Sequence, residues 1–176
     1  YSTADEKDTI VETRRRETLN CYKAFGIPEE NMVFLNISDF SAMSYVGWNV
    51  APGREGHFRR TITELRGRRI TRVLAPNHYR EHIDHVAASV MASYGAPQSG
   101  DPFSVDWGTP NPVRSAAEYS VWADLDPEDA LICKRDAALR ANTVLIVSDE
   151  VEDIVRRGIL QYASQADIIA DLVKRR

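Results

Sequence analysis

Histidine is scarce in this chain, four residues in 176, and the only cysteines are Cys21 and Cys133. Two cysteines so far apart in sequence make neither a disulfide framework nor a short-spaced thiolate pair for zinc. Their sparseness favours a reducing, cytoplasmic setting. No stretch approaches the ~18 consecutive apolar residues of a membrane-spanning helix, so no membrane span is expected. Excess positive charge is lacking too: the formal net charge is -4, which argues against a nucleic-acid partner. The local cluster Arg59, Arg60, Arg66, Arg68, Arg69 and Arg72 reads as a solvated helix face. Internal repeats and low-complexity segments are absent. So is an initiator methionine: the sequence starts at Tyr1, and the expectation is that further N-terminal structure precedes it.

What is present is ordinary for a globular protein, 43% hydrophobic and 27% charged residues, and a single domain over residues 1–176 is the default. Val11, Thr18, Tyr22 and Phe25 recur at helical spacing between Asp5 and Phe25, with Gly26 as the stop. Met32 to Ile37 is short, apolar and ended by Ser38-Asp39, which suits a buried strand. An irregular stretch to Gly56 follows. Next come a helix from Phe58 to Arg66 closed by Gly67, a strand from Ile70 to Ala75 ended by Pro76, and a helix from His82 to Tyr94 stopped by Gly95. Gly95 to Ser115, with Pro97, Pro102, Pro110 and Pro112, reads as a loop. Glu118 to Ala123 reads as a strand, Asp126 to Asp129 as a helix start, and Arg135 to Asn142 is poorly patterned. Thr143 to Val147 is the clearest strand, and Ser148 caps helix from Asp149 to about Tyr162, with more from Ala166 to Lys174. Alternating strands and helices predict a three-layer, Rossmann-like α/β fold with a mostly parallel sheet, lacking its first strand-helix unit.

Three of the four histidines lie between His78 and His85. The segment Glu81-His82-Ile83-Asp84-His85 sets two imidazoles one helical turn apart with a carboxylate between them, directly after an apolar run. In an open parallel sheet, ligands bind beyond the carboxyl ends of strands, and both Asp39 and this segment fall there. A helix start adds a positive dipole end suited to an oxyanion. Blander roles exist for the same residues: histidines at a helix start can simply cap it, and a turn aspartate can form an Asx-turn. Tyr45, Trp48 and His57, on the loop after Asp39, are placed to cover the site. The Gly95 to Ser115 loop leaves from the opposite edge. These two loops are expected to set specificity.

Four groups of residues, taken in order, carry a resemblance. They are Arg14-Arg15-Arg16-Glu17 with Ala24-Phe25-Gly26-Ile27; Val33 to Asp39; Val73-Leu74-Ala75-Pro76-Asn77 leading to His82-Ile83-Asp84-His85; and Tyr162-Ala163-Ser164-Gln165. Their order and spacing resemble the LmbE-like, PIG-L type family of zinc-dependent de-N-acetylases, with Ile83 where the family usually has proline. The resemblance implies zinc as cofactor, His85 as a metal ligand and His82 as the imidazole that stabilises the oxyanion or protonates the leaving amine. It makes Asp84 the carboxylate that orients a histidine, and Arg14 and Asp39 contacts to sugar hydroxyls. The family's Ala-His-Pro-Asp-Asp-Glu motif, source of two further ligands and a general base, is absent, and the family places it upstream of the first helix.

The implied activity is removal of an N-acetyl or similar acyl group from a small amino-sugar conjugate such as one of N-acetylglucosamine, with the 176-residue chain alone expected to be inactive. A reading of another class is a non-catalytic relative that binds a sugar or a partner protein. His82-Ile83-Asp84-His85 also matches the end of the metallo-β-lactamase signature, but Arg80 stands where that signature has its first histidine. Association into a homo-oligomer is left open.

Overall fold

The structure, a computed structural model, describes residues 3–50, 53–121, 143 and 145–174. In chain order its regular elements are α1 (Ala4–Ala24), β1 (Asn49–Val50), β2 (Arg54–Glu55), α2 (His57–Gly67), β3 (Arg72–Pro76), α3 (Ile83–Gln98), β4 (Ser115–Tyr119), α4 (Asp149–Ile159) and α5 (Ala166–Lys174). The chain falls into two compact units, Tyr1–Leu35 with Val144–Arg176, and Asn36–Thr143.

The first unit is organised by α1 and α4, which pack together. Thr3 opens α1, its hydroxyl accepting from the Glu6 amide at 3.2 Å. The expected stop at Gly26 is observed: with φ at 75°, the Gly26 amide reaches the Lys23 carbonyl at 3.0 Å and the Ile27 amide the Tyr22 carbonyl at 2.9 Å. This is a Schellman closure, which needs a left-handed residue at that point. Ser148 caps α4 as expected, accepting from Val151 at 3.5 Å. That helix ends at Ile159, and a single turn at Ala163–Gln165 precedes α5. Glu17, buried on α1, accepts from the Ser164 hydroxyl at 2.6 Å and the Ser164 amide at 2.7 Å. These bonds, the hydroxyl first, hold its carboxyl below the usual carboxylate range, with Arg14 and Arg16 adding to the effect. Two sequence segments singled out separately, around Glu17 and around Ser164, are thus one contact.

In the second unit β3 and β4 are parallel, with Arg72 opposite Ser115 and Pro76 opposite Tyr119. The helix α3 connects them, as a parallel pair requires a crossover. It packs on β3 and on α2. A short antiparallel pair, β1 with β2, leads into α2. Ala42, Ala87 and Met91 form the core with Ile37, Val46 and Phe58 against them, and Ile62 of α2 is fully buried. Two expected helix stops fall differently. Gly67 is the last helical residue and Arg69 takes the left-handed position at φ 54°, closed by Ile70 N–H to the Leu65 carbonyl at 2.9 Å. Gly95 lies inside α3, where an added Cβ would meet Cγ2 of Thr61 at 3.1 Å, so close approach of α2 and α3 selects glycine there.

Met32 to Ile37 and Thr143 to Val147, both expected as strands, belong to no strand in their described residues. A strand is defined by a neighbour that takes its amides and carbonyls, and no ladder among the described residues includes either segment. Leu145 and Ile146 are 84% and 95% exposed, so the apolar run that gave the segment its strand signature is not buried at these two positions. The strand expected from Glu118 to Ala123 begins earlier, at Ser115, and is described to Tyr119. Its Trp122 and Ala123, the expected helix start at Asp126 to Asp129, Arg135 to Asn142, Val144 and Cys133 lie outside the described residues. The chain is therefore mixed α/β with a small parallel sheet. No helix among the described residues is long and apolar enough to cross a membrane.

Candidate functional site

The polypeptide leaves β3 through Asn77, whose amide donates to the Tyr119 carbonyl at 2.7 Å at the carboxyl end of the parallel pair. Its side chain accepts from the Tyr79 amide at 2.6 Å and donates to Glu118 at 3.1 Å. This bracket turns the chain into α3 within a few residues. Arg80 adopts φ 53° in that turn, a strained conformation of the kind that clusters at functional sites. His78 is exposed beside Glu118, with Nδ1 4.0 Å from the carboxylate, so the three neighbouring histidines do not converge.

His82 and His85 do, with ring centroids 5.8 Å apart at the start of α3. His82 is the N-cap residue: its Nδ1 accepts from the Asp84 amide at 3.2 Å. A nitrogen that accepts carries no proton, which puts the neutral ring's proton on Nε2. The Asp84 carboxylate is 3.7 Å from the same Nδ1, beyond hydrogen-bond reach, and the shorter amide contact decides the assignment. Capping and chemistry are thus compatible, because the cap uses one ring nitrogen and leaves the other. His85 Nδ1 lies 2.7 Å from Glu81 Oε2. The rings of His82 and His85 remain partly open, with side chains 29% and 28% exposed.

Asp84 does something the sequence did not disclose. Its two oxygens accept from the Phe40 amide at 2.8 Å and the Ala42 amide at 2.9 Å, pinning the segment after Asp39 to the helix start. Phe40, at φ 61° and largely exposed, lays its ring on His82 with centroids 4.4 Å apart. Asp39 is carried by the same segment, and ligand atoms of Asp39, His82 and Asp84 lie within 4.8 Å of one another. Asp84 is already committed to two amides and His82 Nδ1 to a third, which makes that trio a poor cation site. Arg14 is exposed on α1 in the first unit, where its charge favours ionised Glu17.

The residues expected to cover the site form a second cluster. Tyr45 packs edge-on to His57 at 5.1 Å, and Trp48 packs on Phe58, Phe103 and Trp107 at 5.6, 6.3 and 5.2 Å. His57 is buried with Nδ1 lacking a hydrogen-bond partner among the described residues, and burial pushes its pKa below the ordinary 6.5. Arg66, expected on a solvated face, is instead buried. Its guanidinium donates to the carbonyls of Gln98, Ser99, Asp101, Phe103, Ser104 and Gly108 at 2.7 to 3.3 Å. The remainder of that arginine cluster is exposed, with Arg59 paired to Glu55 and Arg68 to Glu64, both at 2.8 Å. Glu81, quoted with the histidines but given no role, was the missed partner of His85. It stands before the N-cap His82 and outside α3, so helical spacing gave no signal for the contact.

No family model and no curated protein matches the sequence. Among solved structures the chain is similar to the conserved protein TT1542 from Thermus thermophilus, at 21% identity and a TM-score of 0.58, over 88% of this chain. The chain spans 58% of the length of that protein. At this identity the likeness speaks for the fold alone.

Proposed function

We propose that the protein is a zinc-dependent hydrolase that removes an N-acetyl or similar acyl group from an amino-sugar conjugate, with His85 as a metal ligand. The observation that carries this reading is the pairing of His82 and His85 on one partly open helix start, at 5.8 Å between centroids. A catalytic zinc usually takes three protein ligands and an open position. His85 fits one of them, and the others would come from outside the described residues. When bound, zinc would supply Lewis acidity to the amide carbonyl and to water.

The chain's own groups then have distinct tasks. His82 presents Nε2–H, a donor suited to a developing oxyanion and able to pass its proton to the leaving amine. Asp84 holds the Asp39-Phe40 segment beside that donor, leaving the Asp39 carboxylate for a sugar hydroxyl. A three-layer Rossmann-like fold for the whole protein is part of the proposal, supported by the parallel β3–α3–β4 unit and by the likeness to TT1542.

The test is zinc-dependent hydrolysis of an N-acetylglucosamine conjugate by protein expressed from its complete reading frame. His85→Ala should abolish metal-dependent turnover, and His82→Ala should lower kcat by about 10²–10³, the usual effect of losing one oxyanion donor. Unchanged turnover in His85→Ala would remove the ligand assignment. A second reading, a relative that binds a sugar or a partner without catalysis, is favoured by one observation: Asp84 accepts two backbone amides, as a structural carboxylate does. Sugar binding without hydrolysis by the same protein would select it.

A further inference from the structure

Glu81 has a buried side chain, 0% exposed, directly behind a histidine that is open on its other side. Burying a carboxylate is unfavourable unless donors surround it. Three are in place. Oε1 accepts from the Val121 amide at 2.7 Å and faces the Ser120 hydroxyl at 3.3 Å, while Oε2 lies 2.7 Å from His85 Nδ1. The first contact fixes Oε1 as an acceptor, because a backbone amide can only donate. An ionised carboxylate can only accept, so Nδ1 of His85 must be the donor in its pair.

We infer that Glu81 is a positioning residue that fixes His85 in the Nδ1–H tautomer, so that the Nε2 lone pair is the one offered outward. The inference rests on the ligand role proposed above for its significance, but the tautomer is a property of the chain without metal. His82 and His85 then form a complementary pair. One ring is held by a backbone amide with its proton on Nε2, and the other by a buried carboxylate with its lone pair there. A donor and an acceptor stand side by side, which is what an amide hydrolysis needs from two imidazoles. The anchor on Ser120 and Val121 also ties His85 to the residues just past β4. The carboxyl ends of both strands thereby determine the ring's orientation.

Glu81→Gln tests this with almost no change of shape. The Val121 amide requires an acceptor, so the glutamine oxygen takes that side and its NH₂ turns toward His85. Nδ1 must then accept, and the proton moves to Nε2. Imidazole ¹⁵N correlation spectra of the metal-free 176-residue chain at alkaline pH read this directly. The expected result is Nδ1–H in wild type and Nε2–H in Glu81→Gln, with His82 remaining Nε2–H in both. A wild-type spectrum with the His85 proton on Nε2 would overturn the inference even if the variant failed to fold. An unchanged His85 tautomer in a folded Glu81→Gln would do the same. In protein expressed from the complete reading frame, zinc affinity should fall by about 10–100-fold in Glu81→Gln, the range seen when such outer partners are lost. If the tautomers behave as stated and wild type binds no zinc through His85, the positioning role stands and the hydrolase reading fails.

Discussion

At the C-terminal end of α3 the guanidinium of Arg66 has a carbonyl for every donor it carries. At the N-terminal end of the same helix, two imidazoles each have one nitrogen held and one without a protein partner among the described residues. Both ends are rich in polar groups, and both draw loops onto the helix. The difference is where the hydrogen bonding stops. Around Arg66 it closes on itself, folding residues 98–108 into a cage that excludes solvent. Around His82 and His85 it stops one bond short, on a surface that water and a ligand can reach. A saturated buried network gives rigidity. An incompletely saturated, partly open one gives reactivity, provided the groups behind it are held. Glu81 and Asp84 do that holding.

The largest effect is expected from breaking the saturated end. Arg66→Ala removes the donor shared by six carbonyls, and buried acceptors left unmatched cost about 1–3 kcal/mol each before relaxation. A loss of at least about 3 kcal/mol and a fall in Tm of the order of 10 °C should follow in calorimetry. Protection of residues 98–108 against hydrogen exchange should fall with it. If Arg66→Ala melts as wild type does, the cage is not what orders that loop.

A smaller effect sharpens the comparison, because His57 is the third case: a ring nitrogen without a partner that is also closed off from solvent. Burial lowers its pKa below 6.5, so between that folded value and 6.5 the unfolded chain binds more protons than the fold does. Stability is then fully present above about 6.5 and declines as pH falls through the folded pKa. Glu17, with its carboxyl held down by Ser164, adds a second decline of the same sign as pH drops below its ordinary 4.5. Denaturant titrations across this range should show two steps. His57→Phe should remove the upper one and Glu17→Gln the lower, and a profile that His57→Phe leaves unaltered would contradict the burial argument.

Helices were legible in the sequence because their signals are local. Thr3, Gly26 and Ser148 act on amides and carbonyls within a turn of themselves, and the pairing of His82 with His85 follows from one turn of helix. Strands were legible only in part. Arg72 to Pro76 has Ser115 to Tyr119 beside it, whereas Met32 to Ile37 and Thr143 to Val147 carry equal or stronger apolar signatures and belong to no strand in their described residues. The candidate site was half legible for the same reason. Histidine identity and spacing are local, but the Asp84 bonds to Phe40 and Ala42, the Glu81 bonds to Ser120 and Val121, and the carbonyls around Arg66 join residues some thirty to forty-five positions apart. Nothing in a spacing pattern announces contacts of that range. Arg66 in particular is indistinguishable in sequence from Arg68, which is exposed and paired to Glu64.

The contrast between the two ends of α3 makes its sharpest claim at His85. Anomalous X-ray diffraction at the zinc edge, on crystals of protein from the complete reading frame grown with zinc, would locate the metal directly. The expected result is a peak about 2.0–2.1 Å from His85 Nε2, the ordinary zinc–imidazole distance, with Nδ1 still against Glu81. A peak seated on Asp39, His82 and Asp84 instead, or none near His85, would contradict it.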